Sequence, residues 1–220
     1  MSLNIGVVMD PIDHIKPWKD TTLAMLLEAQ RRGWTLHYME PADLYVRDGE
    51  VRAVTRDLTV RDDNQDWFTL GEPATRALAG MDMILMRQDP PFDAAYLYAT
   101  YMLEKVEREG VTVVNRPASV RDSNEKLFAT DFPQCCVPTL VSGRAALLRD
   151  FVKEQGDTVM KPLDAMGGTN VFRIEPGSAN LSVIIDVLTE NGETPVMAQR
   201  FIPEITDGDK RILMINGEPV

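Results

Sequence analysis

The sequence predicts an α/β protein in two parts: an N-terminal open, mostly parallel α/β domain, then a smaller, mainly antiparallel sheet with two helices. Over residues 1–122, short apolar runs alternate with segments of helical spacing and are joined by short connections. This alternation is typical of a parallel sheet with helices packed on it. From residue 137 onward the predicted strands follow each other more closely, which indicates a separate unit.

The first part contains four predicted strands, a hairpin and two helices. The strands cover residues 4–10, 34–39, 82–88 and 111–115, the hairpin covers 44–60 with its turn at Asp48-Gly49, and the helices cover 21–32 and 93–109. Asp20 or Thr21 is expected to cap the first helix. Residues 61–80 form a polar stretch in which no strand is predicted.

Polar side chains follow two of these predicted strands. Ligands of open α/β sheets bind beyond the C-terminal ends of the strands, where Asp10 and the Arg87–Asp89 segment lie. We therefore expect Asp10 and Arg87 to hold a substrate. Arg87 could instead form an internal salt bridge with Asp89, and the sequence favours neither alternative.

The second part begins with a predicted helix from a capping box at Ser119–Asp122 through Thr130, and this helix carries Lys126. Further strands are predicted over 137–141, 158–161, 169–174, 195–201 and 210–215, and helices over 143–155 and 180–190. The chain ends just after Asn216-Gly217, a hairpin turn that calls for a returning strand. We interpret this ending as a truncation that leaves the strand at 210–215 unpaired.

Bulk properties exclude several classes of function. A net charge of −11 makes the surface repel nucleic acid and anionic membranes, so we expect neither as a partner. The two cysteines, Cys135 and Cys136, are adjacent, which suits neither a structural disulfide nor a metal framework. No signal peptide and no membrane-spanning apolar run is recognisable, so a cytoplasmic location is expected.

The segment from Thr158 to Val171 is the strongest functional signal. Lys161 ends a β-branched run, and Gly167 and Gly168 follow in a loop of small residues. Glycines let backbone N–H groups approach an anion, and the lysine adds a positive charge, so the segment predicts a phosphate site. It is not a P-loop, because the lysine precedes the glycines. The alternative is a hairpin turn with a surface lysine.

Further candidates lie on either side of this loop. Lys126 provides a second cation, and the backbone of the strand end Gln199–Pro203 can offer an adenine both a donor and an acceptor. In Asp207–Arg211 a carboxylate can hold ribose hydroxyls and Arg211 can contact phosphate oxygens. Each feature alone is more often a solvated lysine, a turn or an edge strand; their joint order favours a nucleotide site.

In that order these features resemble the ATP-grasp superfamily. Longer segments look like the bacterial glutathione synthetase family: Val8–Ile12, Leu26–Gly33, Met86–Asp93, Ser119–Leu127 and Lys161–Gly168. The resemblance covers residues 4–220. It implies a pre-ATP-grasp domain over 1–122, the lid subdomain of an incomplete ATP-grasp domain over 123–201, and the start of its C-terminal subdomain over 202–220.

The resemblance implies a ligase that joins γ-glutamylcysteine and glycine through an acyl phosphate and uses ATP and Mg²⁺. ATP would be held by Lys126, Lys161, Gly167, Gly168 and Thr169, its adenine by Gln199, Arg200 and Ile202, its ribose by Asp209, and its transferring phosphate by Arg211. The dipeptide would contact Asp10 and Arg87. The Mg²⁺ ligands would lie beyond Val220, so we expect the 220-residue chain alone to be inactive. A homotetramer is also implied.

Two alternatives remain open. Another ATP-grasp carboxylate–amine ligase, such as a D-alanine–D-alanine ligase, would share the nucleotide site but differ in the first domain, and the Met86–Asp93 segment favours glutathione synthetase. A nucleotide-binding scaffold of the synapsin type would share the fold without catalysis, because a fold alone does not determine function.

Overall fold

The computed structural model describes residues 2–210 and 212–219. By its internal contacts the chain divides into two compact units. The first comprises Met1–Asn124 with Asp164–Gly167, and the second comprises Glu125–Leu163 with Gly168–Val220.

The first unit is built on a seven-stranded mixed sheet. Its strands are β1 (Asn4–Met9), β2 (Thr35–Met39), β3 (Leu44–Arg47), β4 (Glu50–Val60), β5 (Phe68–Ala77), β6 (Met83–Arg87) and β7 (Thr112–Val114). The order is β3-β4-β2-β1-β6-β7, with β5 paired to β4. The centre β2-β1-β6-β7 is parallel, as the sequence predicts, whereas every pairing that involves β4 is antiparallel.

The strand β5 corrects the expectation of a polar stretch without a strand at 61–80. It pairs with β4 over nearly its whole length, with a register irregularity between Arg56 and Leu58. Most of its side chains are exposed, so its sequence lacks the apolar alternation that reveals a half-buried strand. Pro73 fits an edge strand, because a residue without a backbone N–H is tolerated there.

Two helices, α1 (Thr21–Arg31) and α2 (Ala94–Arg108), cover opposite faces of this sheet. Leu23 and Leu26 of α1 join the core cluster that contains Val7, whereas Leu103 of α2 joins the cluster that contains Val8. Because neighbouring residues of β1 point to opposite faces, the strand is buried on both sides. This accounts for its continuous apolar run.

The helix predicted over 119–130 is wrong in both its position and its length. The observed helix α3 runs from Pro117 to Asp122, with the proline in its first turn and Arg116 preceding it. A proline fits there because the first N–H groups of a helix have no partner inside it. Lys126 therefore lies in a turn after α3 rather than on a helix.

The second unit contains a four-stranded antiparallel sheet, as predicted. Its strands are β8 (Thr139–Ser142), β9 (Thr158–Pro162), β10 (Phe172–Ile174) and β11 (Val196–Arg200), in the order β10-β9-β11-β8. The helices α4 (Ala145–Gln155) and α5 (Leu181–Leu188) contribute to one core cluster with this sheet. That cluster includes Leu148, Val152, Met160, Ile174, Ile185, Val196 and Ala198.

The Asn216-Gly217 turn is confirmed, with both residues at positive φ. The expectation of a missing returning strand is wrong, because β12 (Met214–Ile215) pairs with β13 (Glu218–Pro219). Among the described residues of the predicted strand over 210–215, Met214 and Ile215 form a strand, whereas Lys210, Ile212 and Leu213 do not.

No helix in the described part of the chain is both long enough and apolar enough to cross a membrane.

Replacing Leu148 with alanine should test the core of the second unit. Leu148 is fully buried against the sheet, so the substitution leaves a cavity and should lower the free energy of unfolding by about 2–5 kcal/mol. Its neighbour Leu147 is 48% exposed, and Leu147→Ala should change stability far less. Denaturant unfolding of both variants measures the difference, and equal losses would contradict the assignment of this core.

Candidate nucleotide site

The two faces of the antiparallel sheet carry different side chains. Met160 of β9 and Ala198 of β11 point into the core beneath α4 and α5. Because side chains alternate along a strand, Lys161 and Gln199 belong to the opposite face. They lie on paired strands, with Lys161 opposite Met197 and Gln199 opposite Val159. The register thus places two of the predicted site residues on one face, away from the helices.

Lys126 lies close enough to Lys161 for their charges to interact. The pKa of Lys161 is lowered, first because burial disfavours its charged form and second because the Lys126 ammonium repels it. Glu125 opposes this shift, and its carboxylate lies 2.7 Å from the Lys126 ammonium. The Lys126 side chain is only 15% exposed. Two lysines from separate segments therefore converge in a half-buried place.

Such a pair is unfavourable unless an anion joins it, because like charges repel most strongly where water is scarce. Glu125 provides one negative charge, but its side chain is 67% exposed and therefore screened by solvent. A polyphosphate between the two ammonium groups would replace repulsion by charge-assisted hydrogen bonds. The lysine pair is compatible with an anion site, and the role of Lys126 and Lys161 in phosphate binding stays a prediction.

The end of β11 exposes a backbone acceptor and a backbone donor. The Arg200 N–H donates to the Pro138 carbonyl at 3.1 Å. In an antiparallel ladder two such residues exchange both bonds, but Pro138 has no N–H to return to the Arg200 carbonyl. The Ile202 N–H has no hydrogen-bond partner among the described residues. Both groups are thus open to a planar ligand.

These two groups lie on the same side of the strand. The Phe201 N–H, between them, donates to the Asp157 carbonyl of the opposite neighbour at 2.8 Å. Since backbone groups alternate in direction along a strand, the Arg200 carbonyl and the Ile202 N–H both point towards the Pro138 side. An acceptor and a donor two residues apart match the amino group and ring nitrogen on one edge of an adenine.

The Gln199 side chain is partly committed within the sheet. Its Nε2 donates to the Thr139 hydroxyl at 3.0 Å, and its Oε1 remains as an acceptor. The amide can therefore accept a hydrogen bond from a ligand amino group while Thr139 holds its orientation. Gln199, Arg200 and Ile202, predicted together from the sequence, are brought together at the end of this strand.

The small-residue loop after β9 requires glycine at two positions. Gly167 and Gly168 have φ of 65° and 79°, and Asn170 has φ of 56°. Side chains other than glycine and asparagine rarely adopt this region. Gly167, Gly168 and Thr169 are exposed. The backbone can therefore present N–H groups to an anion.

The last predicted site residues are only partly described. Pro203–Asp207 forms an exposed 3₁₀ turn, and Gly208 follows with φ of 95°. Asp209 is exposed and makes no hydrogen bond or ion pair to the described residues. Arg211, predicted to contact the transferring phosphate, lies outside the described residues. The roles of Asp209 and Arg211 stay predictions.

A cavity of about 640 Å³ borders the open strand end. Arg200, Phe201 and Ile202 line it together with Arg173 and Asp157. Sequence reasoning missed Arg173, Asp157, Pro138 and Glu125. Only Pro138 carried a usable signal, because a proline in a predicted strand leaves a ladder acceptor unpaired wherever its nitrogen faces a neighbouring strand.

In the first unit, Asp10 and Arg87 are tied to neighbouring residues. The Arg87 guanidinium donates to the hydroxyls of Thr21 and Thr22, each at 3.0 Å. The Asp10 carboxylate accepts from the Asp89 N–H at 2.7 Å. In the described part of the chain no ion pair within 4.0 Å joins Arg87 to Asp89, so the predicted alternative of an internal salt bridge is not observed.

Asp89 itself has an unusual environment. The pKa of its carboxyl is raised, first by burial and then by the nearby negative charge of Asp10. Arg87 partly offsets this effect. Asp10, Arg87 and Asp89 are thus close enough to influence one another at the strand ends, and their role in binding a substrate stays a prediction.

Among residues 2–210 and 212–219, no group of three or more His, Cys, Asp or Glu side chains is arranged to hold a metal ion. Protein ligands of Mg²⁺ are mainly carboxylates, and Asp207 and Asp209 both lie in an exposed segment.

The chain matches two family descriptions end to end. Residues 3–121 match "Prokaryotic glutathione synthetase, N-terminal domain", and residues 125–220 match "Prokaryotic glutathione synthetase, ATP-grasp domain". The glutathione synthetase of Pseudomonas putida is 56% identical over 220 residues, which is 100% of this chain and 69% of that protein. That of Yersinia pestis is 54% identical over 218 residues, 99% of this chain and 68% of that protein.

Solved structures show the same fold at low sequence identity. A D-cycloserine synthetase superposes with a TM-score of 0.60 at 18% identity, covering 92% of this chain and 60% of that one. A D-alanyl-alanine synthetase A from Vibrio cholerae superposes with a TM-score of 0.59 at 10% identity, covering 100% of this chain and 66% of that one. The chain thus spans less than two thirds of these solved proteins.

Replacing Lys161 with methionine should stabilise the protein at neutral pH. The lowered pKa of Lys161 means that folding disfavours its charged form. This penalty is fully present below the folded pKa and is lost as the pH rises to the higher pKa of the unfolded chain. The gain from Lys161→Met in the free energy of unfolding should therefore shrink at alkaline pH, as followed by denaturant unfolding.

The exposed Lys153 offers a matched control, because it forms only a surface ion pair with Asp150. Lys153→Met should leave stability nearly unchanged at every pH. A Lys161→Met protein that is less stable than the parent at pH 7 would contradict the strained lysine pair.

Proposed function

The chain belongs to the prokaryotic glutathione synthetase family, whose second domain is an ATP-grasp domain, and we propose that it ligates γ-glutamylcysteine to glycine with ATP. The identity of 52–56% to glutathione synthetases over nearly the whole chain supports this assignment. The likeness to solved ligases supports the fold alone, because their identities are 18% and 10%.

The closeness of Lys126 to Lys161 on β9, in the same unit as the open end of β11, is the observation that carries the proposal. The second unit thus contains both the lysine pair proposed to hold a polyphosphate and the backbone groups proposed to bind an adenine. In the proposed complex Lys126 and Lys161 hold the ATP phosphates, the Arg200 carbonyl and the Gln199 Oε1 accept from the adenine amino group, and the Ile202 N–H donates to the ring. Asp209 holds the ribose and Arg211 the transferring phosphate.

The proposed reaction has two steps. An oxygen of the cysteinyl carboxylate attacks the γ-phosphorus of ATP, and the bond from this phosphorus to the bridging oxygen breaks. ADP departs, and the dipeptide is now an acyl phosphate. The glycine amine then attacks the acyl carbon, phosphate leaves and the amine loses a proton. Phosphoryl transfer depends mainly on positioning and on charge neutralisation, which is what two lysines can provide.

The loop 164–169 completes the proposal as a lid. An acyl phosphate is hydrolysed by water, so the intermediate must be sequestered while glycine attacks. Gly167, Gly168 and Thr169 can present backbone N–H groups to the phosphates without bulky side chains in the way. Mg²⁺ supplies further neutralisation of phosphate charge when bound.

Substrate binding, assembly and location form the finer part of the proposal. Asp10 and Arg87 contact the dipeptide, which requires Arg87 to keep or exchange its bonds to Thr21 and Thr22. The protein assembles as a homotetramer and works in the cytoplasm, where a thiol substrate stays reduced. Cys135 and Cys136 are free thiols and have no part in the reaction.

Phosphate release by the protein expressed from its complete gene tests the proposal. Release should require γ-glutamylcysteine and glycine together, and mass spectrometry should detect glutathione. D-alanine, which would provide both substrates of the alternative ligase, should support no phosphate release. Tight ATP binding without turnover on any of these substrates would instead favour a nucleotide-binding scaffold.

Replacing Lys126 or Lys161 with methionine should weaken ATP binding. Each lysine contributes a charge-assisted hydrogen bond worth roughly 1.5–3 kcal/mol, so the dissociation constant should rise about tenfold or more for each variant. Titration calorimetry measures this change, with Lys153→Met as the control that retains parental affinity. A variant that binds ATP as tightly as the parent would remove that lysine from the site.

A further inference from the structure

Arg173 joins three segments of the second unit. It lies in β10 opposite Val159 of β9, and its guanidinium forms an ion pair with the carboxylate of Asp157, just before β9. The same guanidinium lies over the ring of Phe201, 4.0 Å from the ring centroid. A cation at that distance from an aromatic face is attracted to it.

Phe201 is the residue between the two groups proposed to bind adenine. Its N–H donates to the carbonyl of Asp157 at 2.8 Å. Asp157 therefore holds its backbone, while Arg173 contacts its ring. Asp157 accepts from Phe201 through its backbone and from Arg173 through its side chain. Arg173, Asp157 and Phe201 thus form a closed cluster, named here the Arg173 clamp.

Besides the Arg173 clamp, the strand pairing of Arg200 and the bond from its N–H to the Pro138 carbonyl hold the start of this segment, and less holds the residues that follow. The cavity of about 640 Å³ borders Arg173, Arg200, Phe201 and Ile202, and a second cavity of about 340 Å³ is also lined by Arg173. The Ile202 side chain is 49% exposed, and the following turn Pro203–Asp207 is exposed throughout. After the Arg200 N–H bond, the direction of the backbone through Phe201 to Ile202 therefore depends on the Arg173 clamp.

We propose that Arg173 is a positioning residue that aims the Arg200 carbonyl and the Ile202 N–H and thereby determines the preference of the site for adenine over guanine. The inference rests on the proposed ATP site and deepens it. Guanine has a carbonyl where adenine has an amino group, so it presents an acceptor to the Arg200 carbonyl and leaves that carbonyl without a donor. A rigid backbone enforces the mismatch, and a mobile backbone relaxes it.

A direct contact between Arg173 and the nucleotide phosphates is the competing role. The charge of Arg173 is already matched by Asp157, and Glu175 lies 3.9 Å from the same nitrogen. An arginine between two carboxylates is a poor phosphate ligand, because binding would require it to give up one of them. The positioning role and the phosphate role predict different losses on substitution.

Binding of three ligands separates these roles: ATP, GTP and inorganic tripolyphosphate, which has the phosphates without a base, each with Mg²⁺. For Arg173→Met we expect ATP affinity to fall about three- to fivefold, tripolyphosphate affinity to stay unchanged, and the ratio of ATP to GTP affinity to fall. Arg173→Lys keeps the charge but loses the planar guanidinium and should lie between parent and Arg173→Met. Arg149→Met is the control, since the hydrogen bond of Arg149 among the described residues is a 3.4 Å bond to the exposed Ser182 hydroxyl.

Phe201→Leu provides an independent second variant. It removes the ring and keeps the ion pair between Arg173 and Asp157, so it should reproduce the ATP-specific loss even if Arg173→Met folds poorly. Equal losses for ATP and tripolyphosphate, or no loss for ATP in any folded variant, would overturn the positioning role. A parent protein that binds neither ATP nor tripolyphosphate would overturn the proposed function instead.

Discussion

The strict alternation of side chains along β9 and β11 is the constraint on which the second unit depends. Met160 and Ala198 point towards the helices and complete the core, so Lys161 and Gln199 must point away from it. The same register that excludes water from one face therefore exposes functional groups on the other. A shift by one residue would bury a lysine and expose the core, so packing energy fixes the geometry of the site.

The paired lysines show how a binding site differs from a stabilising contact. Burial and the charge of Lys126 both disfavour the charged form of Lys161, so the free protein tolerates an unfavourable interaction. Glu125 offsets part of it from an exposed position. In the proposed complex, a polyphosphate would relieve this repulsion, and the relief would contribute to the free energy of binding. In the proposed ligase, the two lysines would contact the phosphate groups whose negative charge must be neutralised during phosphoryl transfer.

Local patterns predicted much of the fold, and non-local contacts account for the failures. The Asp48-Gly49 turn and the strand β9 depend on neighbouring residues, and both are observed. The strand β5 is an exposed edge strand that exists because β4 pairs with it, so its own sequence carries little signal. The helix near Lys126 was misplaced because Pro117, two residues before the apparent capping box, begins the helix earlier. The candidate site shows the same division. The order of the motifs indicated Lys126, Lys161 and the end of β11, whereas the residues that contact them depend on how the strands pair.

The proposed recognition of adenine through backbone atoms has a further consequence. The Arg200 carbonyl and the Ile202 N–H are present whatever side chains occupy those positions, so substitutions there need not remove them. What can change is, first, whether these two groups lack a hydrogen-bond partner within the sheet and, second, the direction in which they point. Pro138 sets the first, because it accepts a ladder bond and cannot return one. Arg173 sets the second through the ring of Phe201. In such a site the residues that determine base selectivity are the neighbours of the contacting peptide, and only the three-dimensional register reveals which neighbours these are.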